Sequence, residues 1–295
     1  MSPVVPVIVL LISSTLWALT WLPLKYFSAI GLDGVWVVFV AFGVATMAVS
    51  PVLLKNFSNI RRHLRMFFMM LCLGGFANFA FTLAIVEGEV IRVMMLFFLA
   101  PVWGVLGGRI FLGEKIDHQR KVAVVLAVAG GFFVLGGTKM FATPPSMIDL
   151  LAIAAGFTFA MNNVACRKEQ SLSMVGKIGA VFIGCTVMSG AYLLIQAESA
   201  PAIAEMDWMW LLGYGLCWML LATLATQWAV THMEAGKASI ILISELLISV
   251  ATATWIGGEI MTGIEMFGGA LIFTATVLEA MRLRFGHERS VMEIK

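Results

Sequence analysis

Apolar residues run through this chain in ten blocks of roughly twenty, at 4–23, 34–54, 65–86, 91–112, 119–138, 147–166, 174–195, 207–230, 238–257 and 263–283. The connections between them are short and polar. A helix rises 1.5 Å per residue, so about 20 mostly apolar residues carry it across the ~30 Å hydrocarbon layer of a bilayer. Each block therefore predicts a membrane-spanning helix. The pattern gives an all-α integral membrane protein of ten transmembrane helices, with no stretch left over for a soluble domain.

Two of the blocks repeat one another. Arg92 to Glu114 reads RVMMLFFLAPVWGVLGGRIFLGE and Lys237 to Glu259 reads KASIILISELLISVATATWIGGE, at a constant offset of 145 residues. Val105 matches Val250, Gly113 matches Gly258 and Glu114 matches Glu259, and the same offset pairs Glu89 with Glu234, Asn78 with Thr223 and Thr82 with Gln227. The chain thus divides into a first repeat over 1–141 and a second over 147–284, meeting in the proline-containing connection Lys139–Ser146. Each repeat holds five helices, an odd number. The second must enter the membrane from the opposite side, so the repeats are expected to be inverted, with a site near the midplane where they meet.

Composition agrees with the pattern: 61% of the 295 residues are hydrophobic and only 12% charged, too little polar surface to cover a soluble globule of this size. The net charge of +2 is uninformative, but the placement of the charges is not. All of the 19 Lys and Arg residues except Lys25, Arg92 and Lys139 fall in or beside alternate connections or in the C-terminal segment. The positive-inside rule then puts both termini in the cytoplasm and Lys139–Ser146 outside, in a multi-pass protein of the cell inner membrane. The first apolar run has no basic region before it and reads as a retained helix. The four cysteines, Cys72, Cys166, Cys185 and Cys217, lie within apolar blocks at no paired spacing, which argues against a disulfide or metal framework.

Polar residues deep in the blocks are the candidate site. Glu245 lies about eight residues into the ninth block, roughly 12 Å of rise from its end, where an ionised side chain is costly unless paired, hydrated or protonated. Its counterpart in the first repeat is the apolar Ala100. Asn78 and Thr82 share one helical face, Thr223 and Gln227 repeat that arrangement, and Asn162 and Asn163 add amides to the sixth block. Trp17 and Trp21 share a face of the first block, and Trp103 lies in the fourth with Phe97 and Phe98. We take Trp17, Trp21, Asn78, Thr82, Trp103, Asn162, Asn163, Gln227 and Glu245 as the expected substrate-binding set. Each has a plainer reading as interhelical hydrogen bonding or core filling. Ala123, Ala127 and Gly131 in the fifth block and Gly268 and Gly269 in the tenth mark those two helices as closely packed scaffold.

No phosphate-cradling GxxxxGK[ST] pattern, metal-ligand spacing or hydrolase signature occurs, so neither a cofactor nor a metal is expected. Ten helices in two inverted halves, with a fourth helix closing on Gly-Glu in each and the segment LAPVWGVLGGRIFLGEK in the first, resemble the EamA-type members of the drug/metabolite transporter superfamily. Where that family often has Glu-Pro in the ninth helix, this chain has Glu245 followed by Leu246. The resemblance implies a secondary transporter, not an enzyme, exporting an amino acid or similar amphiphile by alternating access, with an aromatic amino-acid exporter as the nearest architectural likeness. Its expected partners are the small-molecule substrate and the lipid bilayer, with no nucleic acid and a monomer as the unit. The competing classes are a membrane enzyme acting on a lipid or isoprenoid phosphate, which would want clustered His, Asp or Arg at a membrane face, and a non-transporting assembly partner.

Overall fold

In a computed structural model the chain is described over residues 4–114, 116–138, 144–197, 199–232 and 235–292. Every regular element among them is helical. In chain order these are α1 (Val4–Ala18), α2 (Trp21–Ala29), α3 (Gly34–Lys55), α4 (Phe57–Arg62), α5 (Leu64–Glu87), α6 (Val90–Phe97) and α7 (Ala100–Leu112). Then come α8 (His118–Val134), α9 (Met147–Lys168), α10 (Met174–Ile195), α11 (Glu205–Gly213), a π-helical segment (Tyr214–Met219), α12 (Leu220–Thr231), α13 (Ala235–Trp255) and α14 (Gly263–Met292). Seven stretches are long and apolar enough to cross a membrane, three of them joining neighbouring helices (Val4–Ala29, Val90–Leu112 and Glu205–Val230), and Ile241–Trp255 and Gly263–Leu278 are shorter apolar helices.

The helix starts follow local chemistry. Asp33 accepts from the Val35 N–H and Asp117 from the Arg120 N–H, capping α3 and α8, while Ser146 and Asp149 close a reciprocal capping box on α9. Two breaks inside apolar stretches follow from proline, which lacks the N–H that would bond the carbonyl four residues back. Pro23 follows the break at Leu19–Thr20 between α1 and α2, and Pro101 follows the break at Phe98–Leu99 between α6 and α7.

Lipid is as apolar as any helix face, so association rests on close packing and hydrogen bonds rather than on removal from water. Here α5 packs between α9 and α10, α3 lies on α10, α6 and α7 lie on α9, and α1 lies on α12 and α13. The expected scaffold pair, α8 and α14, is in close contact: a Cβ on Gly130 would sit 2.6 Å from the Gly268 carbonyl oxygen, and one on Gly268 equally close to that of Gly130. Large apolar side chains such as Ile110, Leu194, Ile195 and Trp255 remain on the outer surface, as a lipid-facing surface allows.

Hydrogen bonds gather the connections at two ends of the bundle. At one end Arg92 at the start of α6 forks onto Asp149 of α9 (2.6 and 3.0 Å), donates to the Val134 carbonyl of α8 (2.9 Å) and reaches Glu265 of α14 (3.4 Å). At the other, Asn59 of α4 donates to the Ser171 carbonyl and accepts from the Ser173 N–H, and Glu114 accepts from Arg167 at the end of α9. Nearby His63 lies 3.4 Å from Glu169, whose carboxyl is held below the ordinary carboxylate range chiefly by the hydrogen bond from the Ser171 N–H.

Candidate functional site

The break between α1 and α2 redirects backbone groups, and side chains of the second half take them up. The Thr20 N–H turns to Trp17 (3.2 Å) and the Leu22 N–H to Leu19 (3.0 Å), which leaves the carbonyls of Leu16 and Ala18 without their usual intrahelical donors. The Trp218 indole donates to Leu16 (3.0 Å) and the Ser249 hydroxyl to Ala18 (3.0 Å). Trp17 and Trp21 complete the seam by donating to Thr226 of α12 (3.2 Å) and Thr252 of α13 (3.1 Å), and the Thr20 hydroxyl meets that of Tyr214 at 3.1 Å. Tyr214 and Trp218 both lie in the π-helical segment, a distortion that often accompanies function. Its repeat counterpart lies in the regular helix α5.

The second break, between α6 and α7, is handled differently. The Phe97 carbonyl has no N–H at Pro101 to accept from, and α9 approaches it so closely that a Cβ on Gly156 would lie 2.6 Å from that oxygen. Glycine is required there by contact. The Phe97 ring stacks at tilted angles between Phe81 of α5 (4.8 Å) and Phe159 of α9 (5.3 Å). The Trp103 ring meets Phe157 edge-on at 5.5 Å, with its N–H buried and without a hydrogen-bond partner.

Asn78 and Asn162 converge on Gly74 of α5. Asn78 donates to the Gly74 carbonyl at 2.9 Å, and a Cβ on Gly74 would sit 3.0 Å from Asn162 Oδ1, which is itself buried without a partner. Thr82 is buried on the same helix. Asn163 and Gln227, by contrast, are exposed and do not join this packing. Glu245 is half-buried in α13 and makes no hydrogen bond or ion pair among the described residues. No group of three potential metal ligands occurs among them either.

Both Gly-Glu corners have one backbone geometry. Gly113 and Gly258 sit at φ +70°, and the next N–H reaches six residues back, Glu114 to Gly108 and Glu259 to Ala253, each at 3.1 Å. Their carboxylates diverge. Glu259 accepts from the N–H groups of Val90 (2.7 Å) and Ile91 (2.8 Å), so a second-half residue caps the first-half helix α6. Lys25 holds the other side of the same turn by donating to the carbonyls of Gly88 (2.6 Å) and Val86 (3.2 Å) at the end of α5. Glu114 instead accepts from Arg120 (2.9 Å) and Arg167 (3.1 Å).

The sequence pattern pointed to Trp17, Trp21 and Asn78 but missed Thr226 and Ser249, which bond to α1, and Thr252, which bonds to Trp21 at the start of α2. The i, i+4, i+7 spacing of Glu245, Ser249 and Thr252 was the available signal.

A family model described as the EamA-like transporter family matches the chain twice, over residues 5–136 and 146–280. The uncharacterized transporter YojE of Bacillus subtilis (strain 168) is 28% identical over 134 residues, 45% of this chain and 42% of that protein, so the match spans under half of it. An uncharacterized transporter of Archaeoglobus fulgidus is 21% identical over 253 residues, 84% of this chain and 87% of that protein. One solved crystal structure superposes with a TM-score of 0.62 at 15% identity, covering 93% of this chain and 96% of that one, a likeness of fold.

Proposed function

We propose that this chain, which belongs to the EamA-like transporter family, is a secondary transporter of the cell inner membrane that exports an amino acid or similar small amphiphile by alternating access. Ten transmembrane helices in two inverted five-helix repeats, 1–141 and 147–284, carry the movement. The supporting observation is that helix contacts cross between the halves and change places under the repeat. The stretch α1–α2 begins the first repeat and α9 the second; α1 lies on α12 and α13, and α9 lies on α5, α6 and α7. Each repeat's first helix thus packs on the other repeat's third and fourth. Rocking one set against the other exposes the space between them to each side in turn.

Trp17, Trp21, Asn78, Thr82, Trp103, Asn162 and Glu245 make up the substrate site in this reading, with Asn163 and Gln227 at its margin. A single protomer holds all of them. Counterflow in proteoliposomes, using radiolabelled aromatic and aliphatic amino acids, tests the function: saturable exchange of at least one is expected. Folded protein that exchanges none of the panel overturns it. Orientation is tested separately on a cysteine-free background, where Ser146→Cys is expected to react with an impermeant thiol reagent added outside and Ser58→Cys is not. The reverse pattern turns the protein over in the membrane.

A further inference from the structure

The seam between α1 and α13 has one register. Ala18 pairs with Ser249 and Trp21 with Thr252, both separated by 231 residues, so the two helices run parallel and in step. The same register carries Glu245 onto Ser14. Ser14 and Ala18 stand at i, i+4 on one face of α1, Trp21 at the start of α2 keeps the same offset, and Glu245, Ser249 and Thr252 stand at i, i+4, i+7 on one face of α13. Ser14 and Glu245 therefore lie at one level of the seam.

Ser14 is fully buried, and its hydroxyl has no hydrogen-bond partner. Its neighbours do what hydroxyls in membrane helices usually do: Ser13 donates back to Leu10 and Thr15 to Leu11. Ser14 alone of the three leaves its own backbone unbonded. A second, independent feature marks this level. On the side toward the α1 N-terminus Leu10, Ala229, Ile241 and Leu242 belong to a separate apolar cluster, while Trp21, Leu246 and Ala253 belong to the main core. The apolar packing of the seam divides into these two clusters at the level of Ser14 and Glu245.

We propose that Ser14 and Glu245 form one binding site in this seam, and that the group it takes is the primary ammonium of the transported molecule. The proposal rests on the transport reading above and adds to it the residue on α1 and the chemical class of ligand. A carboxylate and a hydroxyl at one level, not bonded to each other, offer two acceptors to a group with three donors. Lys25 is committed to the Val86 and Gly88 carbonyls and Arg92 to Asp149, Val134 and Glu265, so neither is paired with Glu245. A hard metal ion would want six or more oxygen ligands, against the one carboxylate and one hydroxyl here. Trp17 stands three residues after Ser14, half-buried against the main core with its N–H given to Thr226.

The test uses the full chain in lipid nanodiscs, with Cys72, Cys166, Cys185 and Cys217 replaced and Ser14→Cys introduced. Two methanethiosulfonate reagents of similar size, one ending in an ammonium and one in a sulfonate, are compared by their rates at residue 14, each divided by its rate with a free thiol. A preference of at least tenfold for the ammonium reagent is expected, falling to within twofold when Glu245→Gln is added. Equal rates, no reaction with either reagent, or a preference that survives Glu245→Gln overturns the proposal. If the cysteine variant does not fold, Ser14→Ala is compared with the parent for binding of phenethylamine and of its uncharged counterpart 2-phenylethanol. About tenfold weaker binding of the amine alone is expected, and an equal change or no change in both overturns the proposal. These readouts do not depend on transport, so failure of the counterflow assay with an intact reagent preference rejects the transporter and leaves the site.

Discussion

The stretch from Val90 to Leu112 is broken at Phe98–Leu99, whereas α13, which repeats it 145 residues later, runs unbroken from Ala235 to Trp255. The difference is written in two neighbouring positions. Pro101 stands opposite Leu246 in the repeat, and Ala100 opposite Glu245. A leucine supplies the N–H that proline withholds, so α13 keeps its ladder where α6 and α7 part. The same contrast holds for the first helix of each half, since α1 and α2 are divided while α9 is continuous. Duplication has kept what closes each fourth helix, the left-handed glycine and the six-residue N–H return. It has let the joints collect in the first half and the deep carboxylate in the second.

The largest effect is expected from carrying the carboxylate across. Ala100 is buried at the start of α7, and Ala100→Glu would place an ionisable group there at a cost of about 2.5–3.5 kcal/mol on membrane-insertion scales. Folded yield should collapse, as read by size-exclusion chromatography. Normal yield would mean that the first half also holds a space able to accept a carboxyl. Glu245→Gln, by contrast, should leave yield and melting temperature nearly unchanged while lowering exchange at least tenfold, and unchanged exchange would make the asymmetry a packing accident.

The joints come next. Gly156→Val pushes a branched side chain onto the Phe97 carbonyl and should destabilise by about 1–3 kcal/mol, measured as a lower midpoint in thermal or denaturant unfolding. Pro101→Leu gives the first half the second half's residue. It should change stability by less than about 1 kcal/mol yet slow exchange several-fold, and full exchange would show that the break is no hinge.

Smaller effects separate the two corners. Glu259→Gln weakens a cap on two backbone N–H groups and should cost about 1 kcal/mol with little dependence on salt. Glu114 pairs with guanidinium groups, one of them the half-exposed Arg167, so the loss in Glu114→Gln should shrink as ionic strength rises. Equal salt dependence at both corners would erase the distinction. The smallest effect lies away from both corners, at Glu169. Its lowered pKa makes its contribution full above the ordinary carboxylate range and lost as pH falls through the lowered value. Being at the surface, it should shift the unfolding midpoint only slightly in acid, and Glu169→Gln should abolish that shift.

The all-helical, largely apolar character of the chain, the two Gly-Glu corners and the small-residue scaffold of α8 and α14 were legible in the sequence, because each depends on local geometry or on the number of apolar residues in a row. The inward faces were not legible. Asn162 and Asn163 look alike in the sequence, yet one is buried against Gly74 and the other exposed, since consecutive helical residues point about 100° apart. In water, burial leaves an amphipathic stripe that marks the inner face of a helix. In lipid both faces are apolar, no such stripe is required, and the rotation of each helix is settled by partners far away in the chain. That is why Ser14, a small residue between two others like it, gained its meaning only when α13 was laid against α1 in register, and why the π-helical turn that reaches Leu16 and Thr20 had no forerunner in the pattern.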